Sequence, residues 1–440
     1  MIPSLRILLV TALLGPVSLL AESWTLDRAV ATALERSPDA RAARARVEGA
    51  QAMVDQAQSA WRPQVSLSGR YTNTNSPMAA FGSILNQRAF NFGLDFNRPG
   101  HIDNLNATGT VAYNLYAGGR ATAGRTAAQA GAEAAERDLR TAHQVLAAEV
   151  VRAALNLRKA REAVTAVEGG IRAYEAAVAV ARARFEAGQL LKADFLSLEV
   201  QLAETREKLS SARHGAQLAA RAFHFILGLE PSETSVELLN DDPALARLAL
   251  PDTRDFSQRS ELLGLQARVR AAEAMVEAAR GTRRPTVNAF ASYQYDHGWR
   301  TARHGDSWIA GLAVDLNVFD GGQTAGKLRQ SNAEVTQVKE MLRKATLGIG
   351  LEVEQARLAH ADASERLAVS ARAVEQATES AALTRARFEK EALLTADLIG
   401  AESRLLEARL RRTFAASDER LALVELRRAL GLTPLPESKS

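Results

Sequence analysis

The chain contains no cysteine. That excludes disulfides, thiol nucleophiles and a lipid attached through an N-terminal cysteine. Aromatic residues are scarce at 5%, and Ala, Arg, Glu, Leu and Val fill their place, a mix that favours long helices over compact sandwiches. Proline is missing from the whole stretch between Gly119 and Gly188. Neither sign of charge dominates: the net +4 comes from interspersed Lys, Arg, Asp and Glu, a solvated helix surface rather than a nucleic-acid footprint. No run is apolar for the ~20 residues that a membrane helix needs. The nearest candidate, Ile7 to Leu20, is broken by Pro16, follows the basic Arg6 and ends at Ala21. Residues 1–21 therefore read as a secretory signal peptide. If the rest of the chain enters a membrane, it must do so as strands.

Constellations that carry chemistry are missing as well. No G-x-x-x-x-G-K-S/T spacing is present to cradle a phosphate. His297 and His304 flank a polar loop with Asp296 and Asp306, and His214 and His224 sit ten residues apart, off any common helix face. Neither set makes a metal site. No Ser-His-Asp or paired-carboxylate spacing suggests an enzyme, so no cofactor or metal is expected.

What is present is a duplication. The stretch NLYAGGR, Asn114 to Arg120, is echoed 203 residues later by NVFDGGQ, Asn317 to Gln323. The same offset carries Phe185 to Phe388, Gly228 to Gly431 and Pro231 to Pro434. A shared offset at four landmarks is a tandem repeat. The layout expected from it is a first repeat over 22–228, a connector over 229–258, a second repeat over 259–432 and a tail over 433–440.

Each repeat ends in a long helical hairpin, expected over 120–228 and 323–431. Val150, Leu157, Val164, Ile171, Val178 and Phe185 recur every seven residues, and Leu146, Ala153, Ala160, Val167, Tyr174 and Ala181 form a second series. This is the a/d seam of a coiled coil. A helix from Arg120 to Glu186 would run ~100 Å at ~1.5 Å per residue. Its partner restarts the seam at Phe195, Leu198, Leu202 and Thr205 after a short connector, so it folds back antiparallel. Val353, Leu367, Val374 and Phe388 repeat the pattern more weakly.

Before each hairpin comes a pair of strands, expected over 64–73 and 108–117, then over 286–296 and 307–319. Val65, Leu67 and Tyr71 alternate with Ser66, Ser68 and Arg70, and Trp308, Ala310, Leu312, Val314, Leu316 and Val318 share one face. Period-two alternation over ~9–11 residues with aromatic ends suits a membrane barrel that is apolar outside and polar inside. Four strands cannot close a barrel, and open edges in lipid would be left unsatisfied, so other copies must supply the rest. Two copies would give eight strands and three would give twelve.

On these turns, on the Arg62–Pro63 and Arg284–Pro285 strand starts, and on the tips near Phe185 and Phe388, the chain resembles the outer-membrane efflux (TolC) family across nearly its whole mature length. The resemblance implies a mainly α fold of tandem-repeat helical hairpins with a β-barrel part. Three chains would form a homotrimer with a twelve-stranded barrel in the outer membrane of a Gram-negative bacterium, continued by a helical tunnel in the periplasm. It further implies export of solutes or proteins in a tripartite efflux or type I secretion system. The partners would be a periplasmic adaptor (membrane fusion protein), an inner-membrane transporter or secretion ATPase, and outer-membrane lipid. A soluble periplasmic coiled-coil adaptor or scaffold is the alternative.

By the same resemblance Asp194 and Asp397 would form the periplasmic gate. The adaptor would dock at the tips, on Phe185, Gly188, Gln189 and Leu190 and on Phe388, Glu391 and Leu393. Gly118, Gly119, Gly321 and Gly322 would make the sharp strand-to-helix turns, where a residue without Cβ is least penalised. The chain departs from the family pattern at three places: Glu391 replaces a glycine, Leu393 a latching basic residue, and Gly400 a second aspartate. A gate held differently or less tightly is expected. The alternative for both aspartates is that each caps the helix beginning beside it.

Overall fold

The computed structural model describes residues 22–95, 97–230, 236–238, 255–390 and 394–433. The expected signal peptide, most of the 229–258 connector, Glu391, Leu393 and the end of the tail lie outside the described residues.

The chain runs β1 (Glu22–Trp24), α1 (Leu26–Arg36), α2 (Pro38–Gln58), β2 (Gln64–Thr74), α3 (Pro77–Asn86) and β3 (Ile102–Tyr116). Then come α4 (Arg120–Glu186), α5 (Lys192–Leu227), β4 (Val236–Leu238) and α6 (Ser260–Gly281). β5 (Thr286–Gly298), β6 (Arg303–Asp315), α7 (Gln323–Glu389) and α8 (Thr395–Ala429) complete it. The two long helices, α4 and α7, each span 67 residues. No helix among the described residues is long and apolar enough to cross a membrane.

Two compact units result, and they are not the two repeats. One takes 1–41, 142–254 and 351–440; the other takes 42–141 and 255–350. Duplication set the order of the elements, but the packing mixes both copies within each unit.

In the first unit α4 buries its seam. Val150, Leu157, Val167, Tyr174 and Ala181 are buried, as heptad spacing requires of one continuous face. One core gathers Trp24, Leu26, Leu146, Val150, Leu157, Phe223 and Leu227. A second gathers Ile171, Tyr174, Val178, Leu198, Leu202, Phe388 and Leu398, drawing on both hairpins. The close of α5 shows why its helix stops. Gly228 has φ +70°, its amide donates to the Phe225 carbonyl at 3.0 Å, and the Leu229 amide donates to the His224 carbonyl at 3.0 Å. That pairing satisfies the last carbonyls of the helix through a left-handed residue. Gly431 repeats it at φ +77° after α8. β1 adds a short parallel pairing with β4, Glu22 opposite Val236.

The second unit holds an antiparallel sheet in the order β2-β3-β5-β6. Register places Val65 opposite Val111, Val111 opposite Ala291 and Tyr293 opposite Trp308. One face is therefore apolar, and the opposite face carries Asn106, Thr108, Thr110, Ser292, Gln294 and Ser307. Thr110 and Ser292 hydroxyls meet there at 2.9 Å, and Gln294 donates to Ser307 at 2.8 Å. β2 and β6 are edge strands within the chain.

Two strands depart from expectation. The last one, expected over 307–319, runs Arg303–Asp315, because pairing with β5 ends at Thr286 opposite Asp315. The apolar alternation through Leu316 and Val318 continues past the last paired residue. β3, expected from 108, begins at Ile102, and its polar Asn104 and Asn106 had masked the extension.

Candidate functional site

Both hairpin tips lie in the first unit. At the first, the Gly188 amide donates to the Phe185 carbonyl at 3.0 Å and the Gln189 amide donates to the Arg184 carbonyl at 2.8 Å. Gly188 stands at φ +72°, which a residue with Cβ enters only with strain. The chain then reverses through Leu190 and the exposed Leu191 into α5. Phe185 stacks on Phe195 with ring centroids 5.6 Å apart and planes 6° apart.

The second tip is built differently. Glu391 and Leu393 fall outside the described residues, but both flanks are defined. Phe388 is 2% exposed where its counterpart Phe185 is 37% exposed. Phe388 packs into the core with Tyr174, Leu198 and Leu398, and the Arg184 guanidinium also sits 5.1 Å above its ring and donates to the Phe388 carbonyl at 2.9 Å. One tip is thus tied to the other through a cation–π contact and a charged hydrogen bond. The Phe388 ring is buried behind the tip. Just behind, Tyr174 bonds Ser403 at 2.8 Å across from α4 to α8, and burial raises the Tyr174 hydroxyl above its usual range. Arg385 pairs with the buried Glu402, joining α7 to α8.

Asp194 and Asp397 occupy equivalent places in the first turns of α5 and α8. Their amides donate to Leu191 and Leu394 carbonyls, both at 3.1 Å. Leu191 and Leu394 are the N-cap residues, and neither helix has a side-chain cap. The aspartates therefore favour the helix dipole without capping an amide. Asp397 is exposed and Asp194 half-buried, so both carboxylates are free for another role.

At the far ends of the long helices lie the glycine turns. Gly118 and Gly119 have φ +67° and +85° between β3 and α4; Gly321 and Gly322 have φ +62° and +92° ahead of α7. Both steps use backbone conformations that L side chains rarely adopt. The histidines flanking the β5–β6 hairpin pack on rings, His297 on Trp299 and His304 on Tyr295. Among the described residues no group of His, Cys, Asp and Glu could hold a metal ion.

This duplicated set of strands, glycine turns and hairpin tips matches a known family. The outer membrane efflux protein family covers residues 29–229 and 256–432. The chain belongs to that family. Protein CyaE of Bordetella pertussis is 30% identical over 347 residues, covering 76% of this chain and 69% of that protein. Outer membrane efflux protein BepC of Brucella suis is 24% identical over 368 residues, 79% of this chain and 73% of that one. Among solved structures CusC matches with a TM-score of 0.80 at 17% identity over 92% of each chain, a likeness of fold. As an outer membrane efflux protein the chain is a channel component and not an enzyme, and the soluble adaptor reading is set aside.

Proposed function

We propose that this outer membrane efflux protein works as a homotrimer, pooling four strands per chain into a twelve-stranded barrel and its hairpins into a helical conduit. The observation that carries the proposal is the state of the sheet. Val65, Leu67, Tyr293, Trp308, Leu312 and Val314 are exposed on one face, and among the described residues β2 and β6 each leave one edge without a partner strand. Lipid is the solvent that suits such a face, and lipid does not tolerate an open edge. Copies of the chain answer both needs. Detergent-solubilised protein should be a trimer by mass with mixed helix and strand content. A monodisperse monomer that keeps its strand signal would overturn the barrel.

In this reading the conduit serves a tripartite efflux or type I secretion system of a Gram-negative bacterium. The tip residues Gly188, Gln189 and Leu190 meet a periplasmic adaptor, and an inner-membrane transporter or secretion ATPase loads the cargo. Threefold symmetry would gather copies of Asp194 and Asp397 at the inner opening, where carboxylates attract cations and repel anions. Single-channel recordings should show cation preference and divalent block that weaken in Asp397→Ala. If neither changes, the gate lies at other residues.

A further inference from the structure

The segment joining β2 to β3 does not stand away from the sheet. Its helix α3 lays Ala80 and Ile84 against Ile102 in a small core of its own, and Gln87, one turn on, is fully buried. Gln87 Nε2 donates to the Asp103 carbonyl at 2.7 Å and to Asn104 Oδ1 at 2.9 Å, and the Thr301 hydroxyl donates to Gln87 Oε1 at 2.7 Å. Asn104 Nδ2 in turn donates to the buried Asp296 at 2.6 Å, and Asn106 Nδ2 donates to the same oxygen at 3.0 Å. Further along, Arg88 reaches Asp306 on β6 at 2.9 Å. A segment leaving from one edge strand is pinned as far as the other.

The register tells which face it lies on. Asn106 is opposite Asp296, and Asp296 is opposite Gly305, so all three project to the polar side with Asn104. A Cβ at Gly305 would come 2.1 Å from the Asn86 carbonyl oxygen, and one at Gly298 would come 2.2 Å from Gln87 Oε1. Two strand positions are hollowed where the segment lies flat, a use of glycine that a strand otherwise resists. The Gln87 pins and the glycines agree, while Arg88 reaches past them to Asp306, which shares the apolar face with Trp308 on the edge strand β6. The segment covers the polar face, at the strand ends remote from the departures of α4 and α7.

We infer that residues 77–94 form an inward-folded collar at the outer exit of the barrel, a constriction that selects what leaves by size and polarity. The inference rests on the barrel reading, in which the polar face encloses the lumen. With Ala80, Ile84 and Gln87 turned to the sheet, the opposite side of the segment presents Met78, Leu85 and Phe92 exposed. Phe90 and Phe92 pack edge to face at 5.3 Å beyond the helix. An otherwise polar lumen thus acquires an apolar ring at its mouth. Apolar constrictions dewet and hold back hydrated ions, while amphipathic solutes can wet them. The solutes favoured at this exit are amphipathic.

The test is single-channel recording on the full-length trimer in planar bilayers of potassium chloride. Leu85→Ser with Phe92→Ser makes the collar smaller and more polar at exposed positions, away from the buried anchors Ala80, Ile84 and Gln87. Gly305→Val keeps a good strand former but pushes the segment off the sheet. Both should shift the unit current upward. A conducting wild type whose current neither variant moves overturns the collar and leaves the channel standing. A wild-type trimer that passes no current overturns the channel reading and the collar with it.

Discussion

The two strand-to-helix turns have the same backbone and different surroundings. At Gly118 a Cβ would come 2.5 Å from the Gly281 carbonyl oxygen and 3.1 Å from the Arg284 Cβ. A Cβ at Gly321 or Gly322 would meet nothing beyond its chain neighbours within 4 Å. The second turn has instead what the first lacks, a capping carboxylate. Asp320 accepts from the Gly322 amide at 3.0 Å and the Thr324 amide at 2.8 Å; the matching position in the first repeat is Ala117. The first turn is enclosed by the chain's own neighbouring segment, whereas the second follows the edge strand β6 and must hold itself. The tips show the same division in reverse, with Phe388 enclosed and Phe185 half-open. Duplication preserved the backbone, and position in the chain decided what stabilises each copy.

Unequal substitutions at equal positions break that comparison most sharply at the tips. Phe388→Ala should cost about 3–5 kcal/mol, the range for emptying a buried aromatic site, and it also strips Arg184 of its ring. Phe185→Ala, at a half-exposed site, should cost no more than ~1 kcal/mol. Thermal unfolding of the solubilised protein, followed by helix signal, checks the order. Equal losses would mean that other copies of the chain bury Phe185 as deeply.

The turns come next. Gly118→Ala meets both the left-handed backbone and the Gly281 carbonyl, a combined cost of roughly 3 kcal/mol. Gly321→Ala meets only the backbone, at roughly 1–2 kcal/mol. A melting series on the two variants separates them. If Gly321→Ala proves the worse, a neighbouring copy packs against the second turn as Gly281 packs against the first.

The repeat, the seam and the glycine turns were legible because each is a local signal multiplied by a fixed offset. Val150, Leu157 and Tyr174 announced their burial through spacing alone. The difference between Phe185 and Phe388 could not be read that way, since Phe388 is covered by residues of the other hairpin, Tyr174, Leu198 and Arg184 among them, the last 204 positions away. The inward fold of α3 was hidden for the same reason. Its polar anchors Gln87, Asn104 and Asp296 share no local periodic signal, and only the strand register brings them together. The positions of Asp194 and Asp397 in first helical turns were legible, but that neither helix start carries a side-chain cap was not, because a helix-start acid reads equally as a cap.

The smallest effect belongs to Asp320, and it sharpens the comparison by switching with pH. The Thr324 hydroxyl and amide hold the Asp320 carboxyl below its ordinary 3.8 against an opposing push from burial, and the Gly322 amide adds a smaller lowering. A carboxyl depressed in the folded state stabilises that state above its unfolded value and loses the contribution as pH falls through the folded one. The cap is therefore complete at neutral pH and disappears only in acid below about 3.8. Hydrogen exchange read by mass spectrometry on peptides over 320–326 should show faster opening in Asp320→Ala at neutral pH, with the matching peptides over 117–123 unchanged. The wild type should converge on the variant once the carboxyl is protonated, after correction for the intrinsic pH dependence of exchange. Ala117→Asp should give the first turn little, since Gly281 and Arg284 already hold it. If removing Asp320 leaves the second turn as protected as before, then contacts from another copy stabilise it, and the two turns are equivalent in the assembly after all.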